Sequence, residues 1–177
     1  MKREKNLNDL SELREEKNKI ISAKSILKGS MPIFGTLAEK YLKEHRGIEH
    51  PEQLNVLYWP KGALWKAIDD HGTLYDKINK IPALLIAAKN KQGEVTGVQR
   101  IYLDDKNAKK NTFMENAKLS KGRIEGSAGI LQTGGKRSTL YLAEGPETGA
   151  TIAMANPQAT VLVSFGLSNL KNLGALI

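Results

Sequence analysis

At the start of the chain apolar residues fall at Leu7, Leu10, Leu13, Ile20, Ile21 and Leu27, with Lys and Glu between them. That spacing is close to helical and predicts one amphipathic helix over 7–28, frayed at its start and ended near Gly29. Gly35-Thr36 opens a second helix, in which Thr36 and Glu39 are spaced as a capping box. Ala38, Tyr41 and Leu42 form its apolar stripe, and Gly47 stops it. Leu54 to Trp59 reads as a short strand ended by Pro60. The pattern weakens after that, and 61–80 reads as loop and short helix, with Trp65 and Ile68 packing a small insert. From 82 the period becomes strand-like. PALLIAAK, the turn Asn90-Lys91-Gln92-Gly93 and EVTGVQRIYL predict an antiparallel hairpin, with Val98, Arg100 and Tyr102 on one face and Gln99, Ile101 and Leu103 on the other. The Lys-rich stretch 104–122 reads as a mobile loop, 123–131 as one more strand, and Thr133 to Lys136 as a turn.

The end of the chain has a different rhythm. TLYLA (139–143) is an apolar strand, Glu144-Gly145-Pro146 a strand-to-helix junction, and Thr148 to Ala155 a helix ended by Pro157. TVLVSF (160–165) is a buried strand by its β-branched content; Gly166 turns the chain, and Ser168 caps a short helix to Leu173. The order β-α-β-α predicts a parallel unit. The fold class expected is therefore mixed α/β: amphipathic helical lead-in (1–30), an α+β module with a hairpin (31–137), and a parallel unit (138–177).

Composition changes this picture mainly through charge. The 177 residues carry 27 Lys+Arg and 19 Asp+Glu, a formal charge of +8. Residues 86–140 hold 11 basic and 5 acidic residues, a net of +6, whereas 141–177 hold only Lys171 against Glu144 and Glu147. A basic region beside an acidic pair suits a site where a metal and a phosphate backbone meet, and equally a plain solvated face. There is no cysteine, which excludes disulfides, thiolate metal sites and cysteine nucleophiles, and the 3 His lack metal-ligand spacing. No apolar run reaches the ~18 residues of a membrane span, and the charged N-terminus has no signal-peptide core, so a cytoplasmic protein with no membrane partner is expected.

Most chemical motifs fail. Gly129 and Gly134 have Walker A separation, but Gly135 stands where Lys is needed; no G-x-G-x-x-G follows a strand, and Ser138, Ser164 and Ser168 lack a nucleophile-elbow context. What remains is Glu144, directly after a strand. In an open α/β sheet ligands bind beyond the carboxyl ends of strands. A carboxylate there, followed by Gly145 and a helix N-terminus, can hold a divalent metal or trade a proton, and Glu147 lies one helical turn on. Both carboxylates also suit the positive end of the helix dipole with no further role.

The segment LYLAEGPETGATIAMANPQATVLVSFGLSNLKNL resembles the first half of a Toprim domain, the unit shared by bacterial-type primases, topoisomerases and related nucleases. Glu144-Gly145 matches its glutamate motif, Glu147 a second acidic position of the primase branch, and Gly166 the glycine after strand two. GTLAEKYLKEHRGI, LYWP and PALLIAAKNKQGEVTGVQRIYLD resemble the module preceding Toprim in plasmid and phage primases and near the C-terminus of some conjugative relaxases. The likeness covers about residues 20–177.

The resemblance implies a partial, Rossmann-like Toprim unit at 138–177 and a fragment of a DNA primase or relaxase. In the intact protein it would perform metal-dependent nucleotidyl or phosphoryl transfer. Glu144 would be catalytic; Glu144 and Glu147 would hold Mg2+ or Mn2+. Arg100, Lys118, Lys121 and Arg123 would guide the phosphates of single-stranded DNA or an RNA-primed template. The family adds a D-x-D pair after strand three, and none follows Glu144 here. The metal is therefore expected to be weak or absent, the chain inactive alone, and the rest of a split primase or relaxase a partner. The alternative is a non-catalytic nucleic-acid-binding or assembly module of a DNA-processing complex.

Overall fold

The computed structural model describes residues 2–60, 64–68, 74–112, 114 and 116–174. Helix α1 (Lys2–Lys28) leads into α2 (Leu37–Arg46) and the short strand β1 (Leu57–Trp59). Next come β2 (Leu64–Ile68), β3 (Leu74–Lys80), β4 (Ala83–Lys89), β5 (Val95–Tyr102), β6 (Lys118–Gly122) and β7 (Ala128–Gln132). The last elements are β8 (Leu140–Ala143), α3 (Pro146–Ala155), β9 (Thr160–Val163) and α4 (Leu167–Leu170), which runs on as a 3-10 turn over Lys171–Leu173. No helix among the described residues is long and apolar enough to cross a membrane.

A 7-stranded sheet runs in the order β6-β5-β4-β7-β9-β8, with β1 alongside β4. Its pairs are antiparallel except β8 with β9, which is parallel from Leu140↔Thr160 to Ala143↔Val163. The expected hairpin forms as β4 and β5, in register from Ala83↔Tyr102. Asn90 shapes its turn: its Oδ1 accepts the amides of Gln92 (3.1 Å) and Glu94 (2.9 Å).

Both faces of this sheet are covered, which is why β4 reads as an unbroken apolar run rather than an alternation. On one face Ala38, Tyr41 and Leu42 of α2 and Ala150 and Ala153 of α3 pack over Leu84, Ile86, Ile101, Val161 and Val163. On the other, Ala23, Ile26 and Leu27 of α1 lie over Leu85, Val98 and Tyr102, and Leu173 covers Ala128 and Leu162. The hairpin faces fall as the alternation predicts. Helix α1 uses only part of its apolar stripe, since Leu10, Leu13 and Ile21 stay exposed.

Four local expectations are corrected. The stretch expected as loop and short helix contains the antiparallel pair β2 and β3, from Leu64↔Lys80 to Ile68↔Leu74. A two-stranded ribbon outside the main sheet leaves little hydrophobic signature. The packing expected of Trp65 and Ile68 lies outside the described residues. The Lys-rich stretch 104–122 ends in a strand, β6, at the edge of the sheet, where lysines are the usual protection against further pairing. The capping box is displaced: Glu39 accepts the amide of Gly35 (2.6 Å), and the Thr36 hydroxyl donates to the Ile33 carbonyl (2.5 Å). Gly166, not Ser168, is the residue before α4.

Candidate functional site around Glu144 and Glu147

The parallel pairing of β8 and β9 puts Glu144 one residue past the carboxyl end of β8, at the edge of the sheet. Gly145 is the N-cap of α3 and Pro146 its first residue. The helix settles closely on the sheet because residue 149 has no side chain: a Cβ there would lie 2.7 Å from both Leu131 Cδ1 and Val163 Cγ1. This close approach carries Glu147 inward. Glu144 remains exposed, and its side chain has no partner among the described residues.

Glu147 is the most connected carboxylate of the region. Lys110 Nζ lies 2.5 Å from its Oε1, and Lys118 Nζ lies 2.9 Å from its Oε2. The Tyr41 hydroxyl donates to Oε1 at 3.3 Å and itself accepts from Arg46 Nε at 2.8 Å. The Arg46 guanidinium also stacks on the Tyr41 ring, 5.1 Å from its centroid. One side chain of α3 thus ties together α2, the loop before β6, and the first residue of β6. Burial on its own would raise the Glu147 pKa, but the hydrogen bonds from Lys110 and Lys118 outweigh it and hold the carboxyl down to about 2. Burial and then the Glu147 charge push the Tyr41 phenol up to about 12, with Arg46 pulling the other way, so it stays a donor.

The sign of the pH effect follows. A carboxyl held at about 2 when folded, against an ordinary value of 4.5, contributes stability above 4.5 that is lost as pH falls toward 2. Full linkage would give ~3 kcal/mol; partial solvent exposure of the lysines reduces this to about 1–2 kcal/mol. Urea unfolding at pH 6 and pH 2.5 should therefore show the native chain losing about 1–2 kcal/mol more than Glu147→Gln. Equal losses would show that the lysine pairing contributes nothing.

The four predicted phosphate-guiding residues do not share a surface. Lys118 is opposite Ile101, on the face covered by α2 and α3. Arg100 and Lys121 are on the α1 face, Lys121 opposite Val98. Arg100 donates to the Tyr102 hydroxyl (2.9 Å) and lies 5.5 Å from that ring's centroid, and its Nε is buried without a partner. Arg123 pairs with Glu16 of α1 at 3.1 Å. Of the acidic pair, only Glu147 meets any of these cations. Lys110, Tyr41 and Arg46 had no motif to single them out; their role comes from where distant segments meet.

A divalent metal asks for about six oxygen ligands, several of them waters. No cluster of three or more His, Asp or Glu occurs among the described residues. Both Glu147 oxygens face ammonium groups, and Asp104 Oδ1 accepts the amides of Lys106 and Asn107 in its own loop. Glu144 is left as a single free carboxylate. The donors described here do not by themselves fit Mg2+ or Mn2+.

No curated protein and no solved structure shows significant similarity to the chain. A family described as a domain of unknown function, DUF7146, matches residues 17–131, which run from within α1 to within β7 and leave β8, α3 and β9 outside. With well over half its length matched, the chain belongs to the DUF7146 family.

Proposed function

We propose that the chain is a nucleic-acid-processing module, in which the DUF7146 part precedes a Toprim-like unit of a DNA primase or conjugative relaxase. The observation that carries this reading is the parallel β8-α3-β9 unit, with Glu144 exposed just beyond the carboxyl end of β8 and Lys118 beside the same junction. That is where an α/β sheet of this kind puts its ligand. In the reading, Glu144 serves as general acid/base toward a phosphodiester, and as a metal ligand only where further carboxylates join it. Lys118 meets the phosphate, and Arg100, Lys121 and Arg123 act only as far as α1 leaves their face open. The nucleotidyl-transfer activity belongs to a protein that supplies further carboxylates beside Glu144.

The second reading, a nucleic-acid-binding or assembly module without catalysis, is favoured by the donor set. The only partly buried carboxylate of the junction is already neutralised by two lysines. Both readings require binding of single-stranded DNA or a primed template through backbone phosphates. Affinity should then fall ~10³-fold or more between 50 and 200 mM salt, as it does when six or more phosphates are contacted. Fluorescence anisotropy with a labelled single strand measures this. Affinity that ignores salt, or no binding at 50 mM salt, would sink the nucleic-acid reading. Primer synthesis with Mg2+ that disappears on Glu144→Gln would decide for the enzyme over the module.

A further inference from the structure

We propose that Lys110 and Lys118 form a phosphate-binding pair whose site is occupied, in the free chain, by the carboxylate of Glu147. The geometry that points to this is the imbalance of charge at one carboxylate. Two ammonium groups close on it at 2.5 and 2.9 Å, one on each oxygen. Arg46, held on Tyr41, adds a third cation, linked to the carboxylate through the Tyr41 hydroxyl. A monoanion with two oxygens leaves this cluster in excess positive charge; a phosphoryl group, with more charge and a third oxygen, matches it better. The pair also sits where a ligand can arrive. Lys118 Nζ is 3.7 Å from where a Cβ of Gly145 would stand, so the ammonium touches the turn that carries the exposed Glu144.

A further observation agrees. The side chains of Lys110 and Lys118 are 36 % and 32 % exposed and that of Glu147 17 %, so the pairing is reached from solvent rather than sealed.

In this arrangement Glu147 is an internal competitor for the anion, not a ligand of a metal. The two roles predict opposite results for the same substitution. The inference rests on the nucleic-acid reading only for the source of the phosphate, nucleotide or polynucleotide, and not for the site itself.

The test is calorimetric titration of the full chain with inorganic pyrophosphate, in EDTA so that no divalent ion can bridge. Glu147→Gln should bind about tenfold tighter than the native chain, because the lysines are released, and Lys118→Met about tenfold weaker. If Glu147→Gln fails to fold, the comparison of the native chain with Lys118→Met and Lys110→Met still decides. Unchanged or weaker binding by a folded Glu147→Gln, or native affinity in both lysine variants, overturns the proposal. Displacement of pyrophosphate by a single-stranded oligonucleotide assigns the phosphate to a polynucleotide, and displacement by ATP alone assigns it to a nucleotide. Pyrophosphate binding with these signs but no DNA binding would keep the anion site and reject the nucleic-acid reading. DNA binding without these signs would do the reverse.

Discussion

Gly122→Ala should cost about 3–5 kcal/mol of folding stability. Two penalties coincide there. The residue has φ +92°, outside what an L side chain adopts readily, and a Cβ would stand 2.3 Å from the Thr96 carbonyl oxygen and 2.7 Å from Gly97 Cα. The obstructing atoms are main chain, which no rotamer change can move. Gly122 pairs with Gly97 across β6 and β5, and this double absence of side chains lets Arg123 donate its amide to Thr96 at 2.8 Å as β6 ends. Gly93→Ala is the control, because it shares a positive φ (+79°) but has nothing within 4 Å of its Cβ. Gly93→Ala should cost only about 1–2 kcal/mol. Urea unfolding of both variants separates strain from overlap. Equal costs, or a Gly122→Ala chain within 1 kcal/mol of native, would refute the close approach of these strands.

Asn169→Ala should cost about 3 kcal/mol or more, through hydrogen bonds alone. Asn169 is 6 % exposed, in the four-residue helix α4. Its Nδ2 donates to the carbonyls of Ser127 and Ser164, each at 2.9 Å, and its Oδ1 accepts the Gly126 amide at 2.9 Å. One carboxamide thus satisfies three main-chain groups, just before β7 and just after β9. Removing it takes this partner from the buried Ser127 and Ser164 carbonyls and from the half-buried Gly126 amide. Asn169→Asp keeps the acceptor but turns the donor into a second acceptor facing two carbonyls. It should be at least as damaging as alanine at neutral pH. Thermal unfolding of the three chains tests this, and a near-native Asn169→Asp would show that the side chain is not the tie described. Because α4 helps hold the end of β9, loosening it should also speed amide exchange in β7 and β9 relative to β4 and β5.

The anion-site inference and the metal expectation meet at Glu147. From the sequence, Glu147 lies one turn after Glu144; its spacing suits the helix dipole, and the Toprim resemblance adds a metal or supporting role. In the fold it is claimed by lysines, so the pair Glu144 and Glu147 is split into one free and one neutralised carboxylate. That split is chemically useful only if something else joins Glu144, or if the lysines answer to a different anion.

What the sequence by itself determined was whatever depends on near neighbours. Helices α1 and α2, the hairpin with its Asn90 turn, and the succession β8, α3, β9 follow from periodicity and from residues such as Gly47, Gly93 and Pro146 that act on their own backbone. The position of Glu144 past its strand is legible for the same reason. What only the tertiary structure decided was the company each charged residue keeps. Glu147 meets Lys118 across 29 positions and Tyr41 across 106, distances over which no spacing rule operates. The faces taken by Arg100, Lys118 and Lys121 depend on the register of β5 against β6, where a slip of one residue would exchange every side chain between the two layers. A charged edge strand such as β6 carries no apolar alternation to announce it, because its lysines answer to solvent, to Glu147 and to the need to end the sheet, not to a core.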